Sequence, residues 1–204
     1  MSTAIVSDLE QLLREARACR LCEAHLPMGP RPVLRASESA RLLIVGQAPG
    51  TLVHASGIPW SDASGMRLRG WLGLDRSAFY DEAKVAIVPM GFCYPGRGST
   101  GDLPPRPECA QTWHPRLLPM LPDVRLVLAI GQYAQTYFLG AQRKKSLTDT
   151  VQAWREYAPR VFPLPHPSPR NVAWFKHNPW FEAEVLPALR ELVATALAPA
   201  DRSP

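Results

Sequence analysis

The chain has 204 residues, 46% of them hydrophobic and 20% charged, which is enough apolar material to bury the core of one domain. Its formal charge of +5 favours an anionic partner, because cationic side chains that neutralise phosphates release condensed counterions, but it does not identify that partner. The longest apolar runs, 42–45 and 124–130, fall far short of the roughly 20 residues that a bilayer-spanning helix requires, so no membrane partner is expected.

Residues 3–18 place Ile5, Leu9, Leu12, Leu13 and Ala16 on one stripe, the period of an amphipathic helix. Asp8, Glu10 and Glu15 lie among them without the positive start and apolar stretch of a secretory signal, so a cytoplasmic location is expected, and a monomer. Short apolar runs at 41–45, 85–89, 125–130 and 161–164, bounded by Gly or Pro, read as buried strands. Helical patterns fall between and after them at 66–72, 108–121, 132–139 and 180 to about 197. This alternation predicts an α/β fold with a mostly parallel sheet covered on both faces. Ligands then bind beyond the carboxyl ends of the strands, in the loops leaving Gly46, Met90, Gly131 and Pro165. Residues 141–150, with Arg143, Lys144 and Lys145, read as a mobile basic loop that either touches phosphates or is simply solvated. One domain is expected over 1–197, with 198–204 as a frayed tail.

Cys19 and Cys22 form a CxxC after the first helix, and Cys93 and Cys109 flank a Pro- and Gly-rich loop. Two such pairs suggest one tetrahedral site, since a reducing compartment disfavours disulfides. Four thiolates suit zinc or an iron-sulfur cluster, and spacing alone does not choose between them. Core filling by inert thiols is the bland alternative.

After the first predicted strand comes Gly46-Gln47-Ala48-Pro49-Gly50, a glycine-bracketed turn that lets backbone N–H groups approach a ligand. After the last comes His166-Pro167-Ser168-Pro169-Arg170-Asn171, where two prolines stiffen a turn that presents His, Ser, Arg and Asn. The two loops resemble the signature motifs of the uracil-DNA glycosylase superfamily, the water-positioning loop and the His-Pro-Ser loop. Between them, Gly57-Ile58-Pro59-Trp60 followed by Gly65 is similar to the family's Gly-x-Pro-Phe segment, with Trp60 in place of Phe. The spacing of Cys19, Cys22, Cys93 and Cys109 resembles the cluster-bearing branch, the family-four type, and the resemblance runs from about residue 15 to 193.

The resemblance implies a three-layer α/β/α sandwich with a central four-stranded parallel sheet, a structural 4Fe-4S cluster on the four thiolates, and a monofunctional glycosylase that flips uracil out of DNA and leaves an abasic site. It assigns Trp60 to stacking on the extruded base, and His166 to the donor that meets negative charge developing on uracil O2. Arg170 stands where relatives place a wedge into the duplex, and Ser168 where they contact phosphate. Gly46, Ala48 and Asn171 fall at positions that add hydrogen bonds to substrate. No lysine stands in either motif, so no Schiff-base lyase step is expected.

The chain departs from the family pattern in two places. Cluster-bearing relatives usually carry Glu second in the first motif, and the best-known branch carries Asp third; here Gln47 and Ala48 stand, and neither takes a proton from water. Water orientation by Gln47 is the favoured replacement and a carboxylate from Asp62 the alternative. Slower turnover is expected, since general-base catalysis typically contributes about 10²- to 10⁴-fold. The family's uracil-reading Asn is missing from 88–93, which leaves Met90, Gly91 and Phe92 to contact the base through backbone groups and hypoxanthine open as a substrate. No His lies between Tyr94 and Glu108, where a branch that traps uracil covalently carries one, so stable capture is not expected.

Two other functions fit the same residues: a protein that recognises a flipped deaminated base or abasic site with little or no turnover, and a zinc-stabilised hydrolase of free nucleosides. The basic balance and Arg170 weigh against the latter. His54, His114 and His177 read as structural or surface residues, and Trp174, Phe175, Trp180 and Phe181 as packing around a helix start at Asn178-Pro179.

Overall fold

The structure is a computed structural model that describes residues 7–99 and 101–199; Ile5 and residues 200–204 of the expected tail lie outside them. Helix α1 (Asp8–Arg17) starts at Ser7, whose hydroxyl accepts from the Glu10 N–H at 3.2 Å, and it ends with Arg14 and Arg17 against the carbonyl end of the helix dipole. Four strands, β1 (Leu42–Val45), β2 (Val85–Ile87), β3 (Leu126–Ile130) and β4 (Val161–Leu164), make one all-parallel sheet in the order β2-β1-β3-β4. The connecting helices are α2 (Thr51–Ser56), α3 (Ala63–Leu72), α4 (Arg76–Phe79), α5 (Pro107–Leu117), α6 (Gly131–Leu139), α7 (Leu147–Gln152), α8 (Val172–His177) and α9 (Leu186–Leu197).

The two-residue period of the strands sorts the core into two layers. Leu42, Ile44, Leu128 and Phe162 face α3 and α9, where Leu68, Trp71, Leu189 and Val193 cover them. Leu43, Val45, Ala86 and Ala129 face α1 and α5, against Leu12, Leu13, Trp113 and Leu117. The expected α/β/α arrangement around a central four-stranded parallel sheet is therefore the one found, and both motif loops leave carboxyl ends of strands. Phe175 and Phe181 pack edge and face around Trp71, and Trp174 joins them, as expected of packing residues.

Three local differences have physical causes. β2 ends at Ile87 rather than 89 because Pro89 has no N–H for the ladder. The chain nevertheless stays beside the first motif, with Met90 N–H on the Gly46 carbonyl and Gly91 N–H on the Gln47 carbonyl, each at 2.9 Å. The 180–197 helix opens with a π-helical turn, Phe181–Val185, because Pro187 cannot return a hydrogen bond to the Ala183 carbonyl and its ring crowds that turn. Residues 141–150 are not one basic loop: Ser146 caps α7 by accepting from the Asp149 N–H at 3.0 Å, and a helix of six residues is too short to show a period.

His114 is buried in α5, where its Nε2–H donates to the Pro89 carbonyl at 3.0 Å and its Nδ1 has no partner among the described residues. Burial therefore holds its pKa below the usual 6.5, since protonation would put a charge and an unpaired donor in the core. The unfolded imidazole takes its proton near 6.5 and the folded one only at lower pH, so stability is full above 6.5 and is lost as pH falls toward the folded value. The urea midpoint should be lower at about pH 5.5 than at about pH 7.5, and the difference should shrink in His114→Gln; a midpoint that rises on acidification would contradict this account.

Candidate active site

A cavity of about 490 Å³ opens at the carboxyl ends of β1 and β4. Gly46, Gln47 and Ala48 line it from the first motif, His166, Ser168 and Arg170 from the last, and Trp60 and Asp62 from between.

Trp60 has φ 56°, the left-handed region that a non-glycine residue rarely adopts, so the surrounding structure must hold it there. Its carbonyl accepts from the Arg69 guanidinium and the Tyr80 hydroxyl, each at 3.1 Å, and the Tyr80 hydroxyl lies 2.8 Å from the Pro59 carbonyl. A Cβ on Gly65 would stand 1.8 Å from that Trp60 carbonyl oxygen, and one on Gly46 would stand 2.8 Å from Cζ2 of the indole. The ring also meets His166, with centroids 5.6 Å apart and planes tilted by 33°. Trp60 is thus a wall of the cavity, wedged between the two motif loops.

The His-Pro-Ser loop is braced from behind. Asn171 donates its side-chain amide to the His166 carbonyl at 2.8 Å, and Arg67 donates to the Ser168 carbonyl at 3.0 Å. The Ser168 hydroxyl accepts from the Arg170 N–H at 3.2 Å. Asn171, expected at the substrate, is instead a strut within its own loop and does not line the cavity. Burial pushes the His166 pKa down while the Asp62 and Asp102 carboxylates pull the other way; burial wins, so the imidazole is neutral near pH 7, with one N–H donor and one acceptor.

Gln47 donates Nε2–H to the Leu103 carbonyl at 3.0 Å, and the reverse amide orientation would set oxygen against oxygen. Asp62 accepts the Gly65 N–H on Oδ1 at 2.9 Å and caps α3, leaving Oδ2 for the cavity. Sequence reasoning missed the hairpin over residues 96–103, closed by Gly98 N–H to the Gly101 carbonyl (2.7 Å) and Leu103 N–H to the Gly96 carbonyl (2.8 Å). It brings Arg97 and Asp102 to the cavity, with Tyr94 before it and the exposed Leu52 across from it on the rim. The cluster of Gly96, Gly98 and Gly101 was the available signal.

Met90, Gly91 and Phe92, expected at the base, do not line this cavity. The N–H groups of Met90 and Gly91 already serve the Gly46 and Gln47 carbonyls, and the Phe92 ring is buried beside Trp113 and His114. Arg143, Lys144 and Lys145 border a separate depression with Asp149 and Gln152. Arg143 donates to the Thr136 hydroxyl at 2.8 Å and Lys144 pairs with Glu156 at 2.5 Å, so both cations are already engaged.

Cys19, Cys22, Cys93 and Cys109 line one small apolar cavity with Leu26, Phe92 and Trp113, and no carboxylate or imidazole joins them there. Burial pushes the Cys93 thiol up to about 11 and the Cys109 thiol up to about 12. The Phe92 N–H donates to Cys109 Sγ at 3.3 Å. Among the described residues, no three His, Cys, Asp or Glu side chains converge closely enough to hold a single metal ion.

If the Trp60 contacts organise the cavity, Gly65→Ala should lower stability in urea by at least the roughly 1–3 kcal/mol of an overpacked core. Gly70→Ala in the same helix is a control: its Cβ meets nothing within 4 Å, and removing a glycine from an exposed helix position should leave stability unchanged or higher by about 0.5–1 kcal/mol. Equal midpoints for the two variants would contradict the assignment.

A solution structure of a candidate uracil DNA glycosylase from Methanosarcina acetivorans is similar over 79% of this chain and 98% of its own, at 18% identity and a TM-score of 0.44. Residues 35–190, which include both motif loops, Trp60, the hairpin and two of the four cysteines, match the Uracil DNA glycosylase superfamily. That match covers most of the chain, and the protein belongs to the uracil DNA glycosylase superfamily.

Proposed function

We propose that the cavity is the base pocket of a monofunctional DNA glycosylase that extrudes uracil from DNA and hydrolyses its glycosidic bond, leaving an abasic site. The observation that carries this reading is His166, neutral and partly buried, its backbone carbonyl held by Asn171 and its ring beside Trp60, in a cavity rimmed by Arg97 and Arg170. A base within a duplex cannot reach such a pocket, so it must leave the stack, at a few kcal/mol of unstacking. Trp60 supplies the apolar wall against which it settles. As the bond to the sugar breaks, negative charge develops on uracil O2, and the His166 N–H meets it with a donor already in place. On this reading Arg170, exposed and lying against Gly101, fills the gap in the stack, and Ser168 of the same loop contacts a phosphate.

A second reading, recognition of a flipped base or abasic site with little turnover, is favoured by one observation: Gln47 and Ala48 line the cavity from the first motif, and neither takes a proton from water. Single-turnover cleavage of a duplex bearing one uracil separates the two readings. The uracil-dependent product should form with wild type and fall about 10²- to 10³-fold with His166→Ala, the range for loss of one such donor. Tight binding without product would support the second reading, and equal rates would remove His166 from the reaction.

The four thiols, on the same reading, hold a structural 4Fe-4S cluster. An all-thiol donor set in a largely apolar cavity, with the Phe92 N–H turned to the Cys109 sulfur, suits such a cluster. Its part is to tie the end of α1 to Cys93 and Cys109, which bracket the hairpin; it supplies no step of the hydrolysis. Anaerobically purified protein should be brown and contain iron and sulfide, and Cys109→Ser should lose both. A colourless protein with stoichiometric zinc would assign zinc instead.

A further inference from the structure

The first motif of this chain has no group that can take a proton from water, since Gln47 and Ala48 occupy the positions nearest the cavity. We propose that Asp102 supplies the missing carboxylate from the 96–103 hairpin, and that Gln47 is the positioning residue that holds it there. The assignment rests on the reading of the cavity as a uracil-excising site.

The juxtaposition is direct. Gln47 Nε2–H donates to the carbonyl of Leu103, the residue that follows Asp102, at 3.0 Å. A glutamate at position 47 would turn an oxygen toward that carbonyl and repel it, whereas the amide clamps the hairpin to the motif. Across the same turn, Asp102 Oδ2 lies 3.6 Å from where a Gly50 Cβ would stand, so the carboxylate sits over the closing glycine of the first motif. Asp102 lines the same cavity as His166, and its charge is felt at the imidazole. Asp62 also faces the cavity, but its Oδ1 is engaged by the Gly65 N–H at the start of α3. The remaining charged groups around Asp102 are Arg97 on its own hairpin and Arg170, whose Nη1 lies 3.3 Å from where a Gly101 Cβ would stand.

The step balances without a further reactant. The bond between C1′ and the base nitrogen breaks, and its electron pair leaves with uracil, whose O2 accepts from His166. The sugar, now cationic at C1′, faces the Asp102 carboxylate. Water oxygen adds to C1′, the water proton passes to Asp102, and the carboxyl group then returns it to solvent, from which the uracil anion takes a proton. The net change is one water consumed, with uracil and an abasic site formed.

Two measurements test this on the intact protein. In single-turnover cleavage of uracil-containing duplex, Asp102→Asn should lose about 10²- to 10⁴-fold, the span of a general base, while Asp62→Asn loses far less. Independently of turnover, wild type should bind a duplex with a cationic pyrrolidine abasic analogue more tightly than one with the neutral tetrahydrofuran analogue. That preference should vanish in Asp102→Asn, weaken in Gln47→Ala and persist in Asp62→Asn. Asp102 is exposed on a hairpin, so Asn there does not threaten the fold. An absent preference in wild type, or an unchanged one in Asp102→Asn, would overturn the assignment. A wild type that cleaves no uracil yet shows the Asp102-dependent preference would retire the uracil reading and keep the carboxylate assignment, whereas uracil cleavage that survives Asp102→Asn undiminished would do the reverse.

Discussion

The position of the Trp60 backbone is the constraint on which the site depends. A tryptophan held at φ 56° needs its carbonyl taken up, and Arg69 and Tyr80 do this; it also needs two neighbours without side chains, and Gly46 and Gly65 are those neighbours. One glycine belongs to the loop after β1 and the other to the first turn of α3, so a single residue fixes the spacing of both. Its ring then sets the place of His166 on the loop after β4. Three segments thus meet at one residue, the loops after β1 and β4 at its indole and the start of α3 at its carbonyl.

A second coupling runs through the hairpin. Cys93 precedes it and Cys109 follows it, while Gln47 ties its Leu103 to the first motif. The two cysteines share one cavity with Cys19 and Cys22 at the end of α1, and the glutamine holds the closing end of the hairpin, where Leu103 pairs with Gly96. Arg97 and Asp102 line the cavity from this segment. Gln47, which reads as an absence of proton-accepting chemistry in the first motif, also supplies the donor that a hairpin carbonyl takes.

The sheet was legible in the sequence because parallel strands buried on both faces appear as short continuous apolar runs, and both motif loops follow such runs. His166 was legible for the same reason, as a residue standing beyond a strand end, and Trp60 through the likeness of Gly57-Ile58-Pro59-Trp60 to the family's segment. The direction of a loop side chain is not encoded in its neighbours. Asn171 turns back to its own loop, and the N–H groups of Met90 and Gly91 are taken by the adjacent motif, facts that depend on pairing rather than on local pattern. The strands of the 96–103 hairpin are too short to alternate, which left its glycine cluster as the one signal, and α7 was hidden because six residues complete fewer than two helical turns.

The central claim is that the cavity between the two motif loops receives a uracil removed from the DNA stack. The most direct measurement is a crystal structure with a duplex that carries 2′-fluoro-2′-deoxyuridine, whose electron-withdrawing fluorine slows cleavage. The uracil should lie outside the helix, against Trp60, with its O2 within hydrogen-bond distance of the His166 imidazole. A uracil still stacked in the duplex, or seated on another surface while Trp60 and His166 touch nothing of the DNA, would contradict the account.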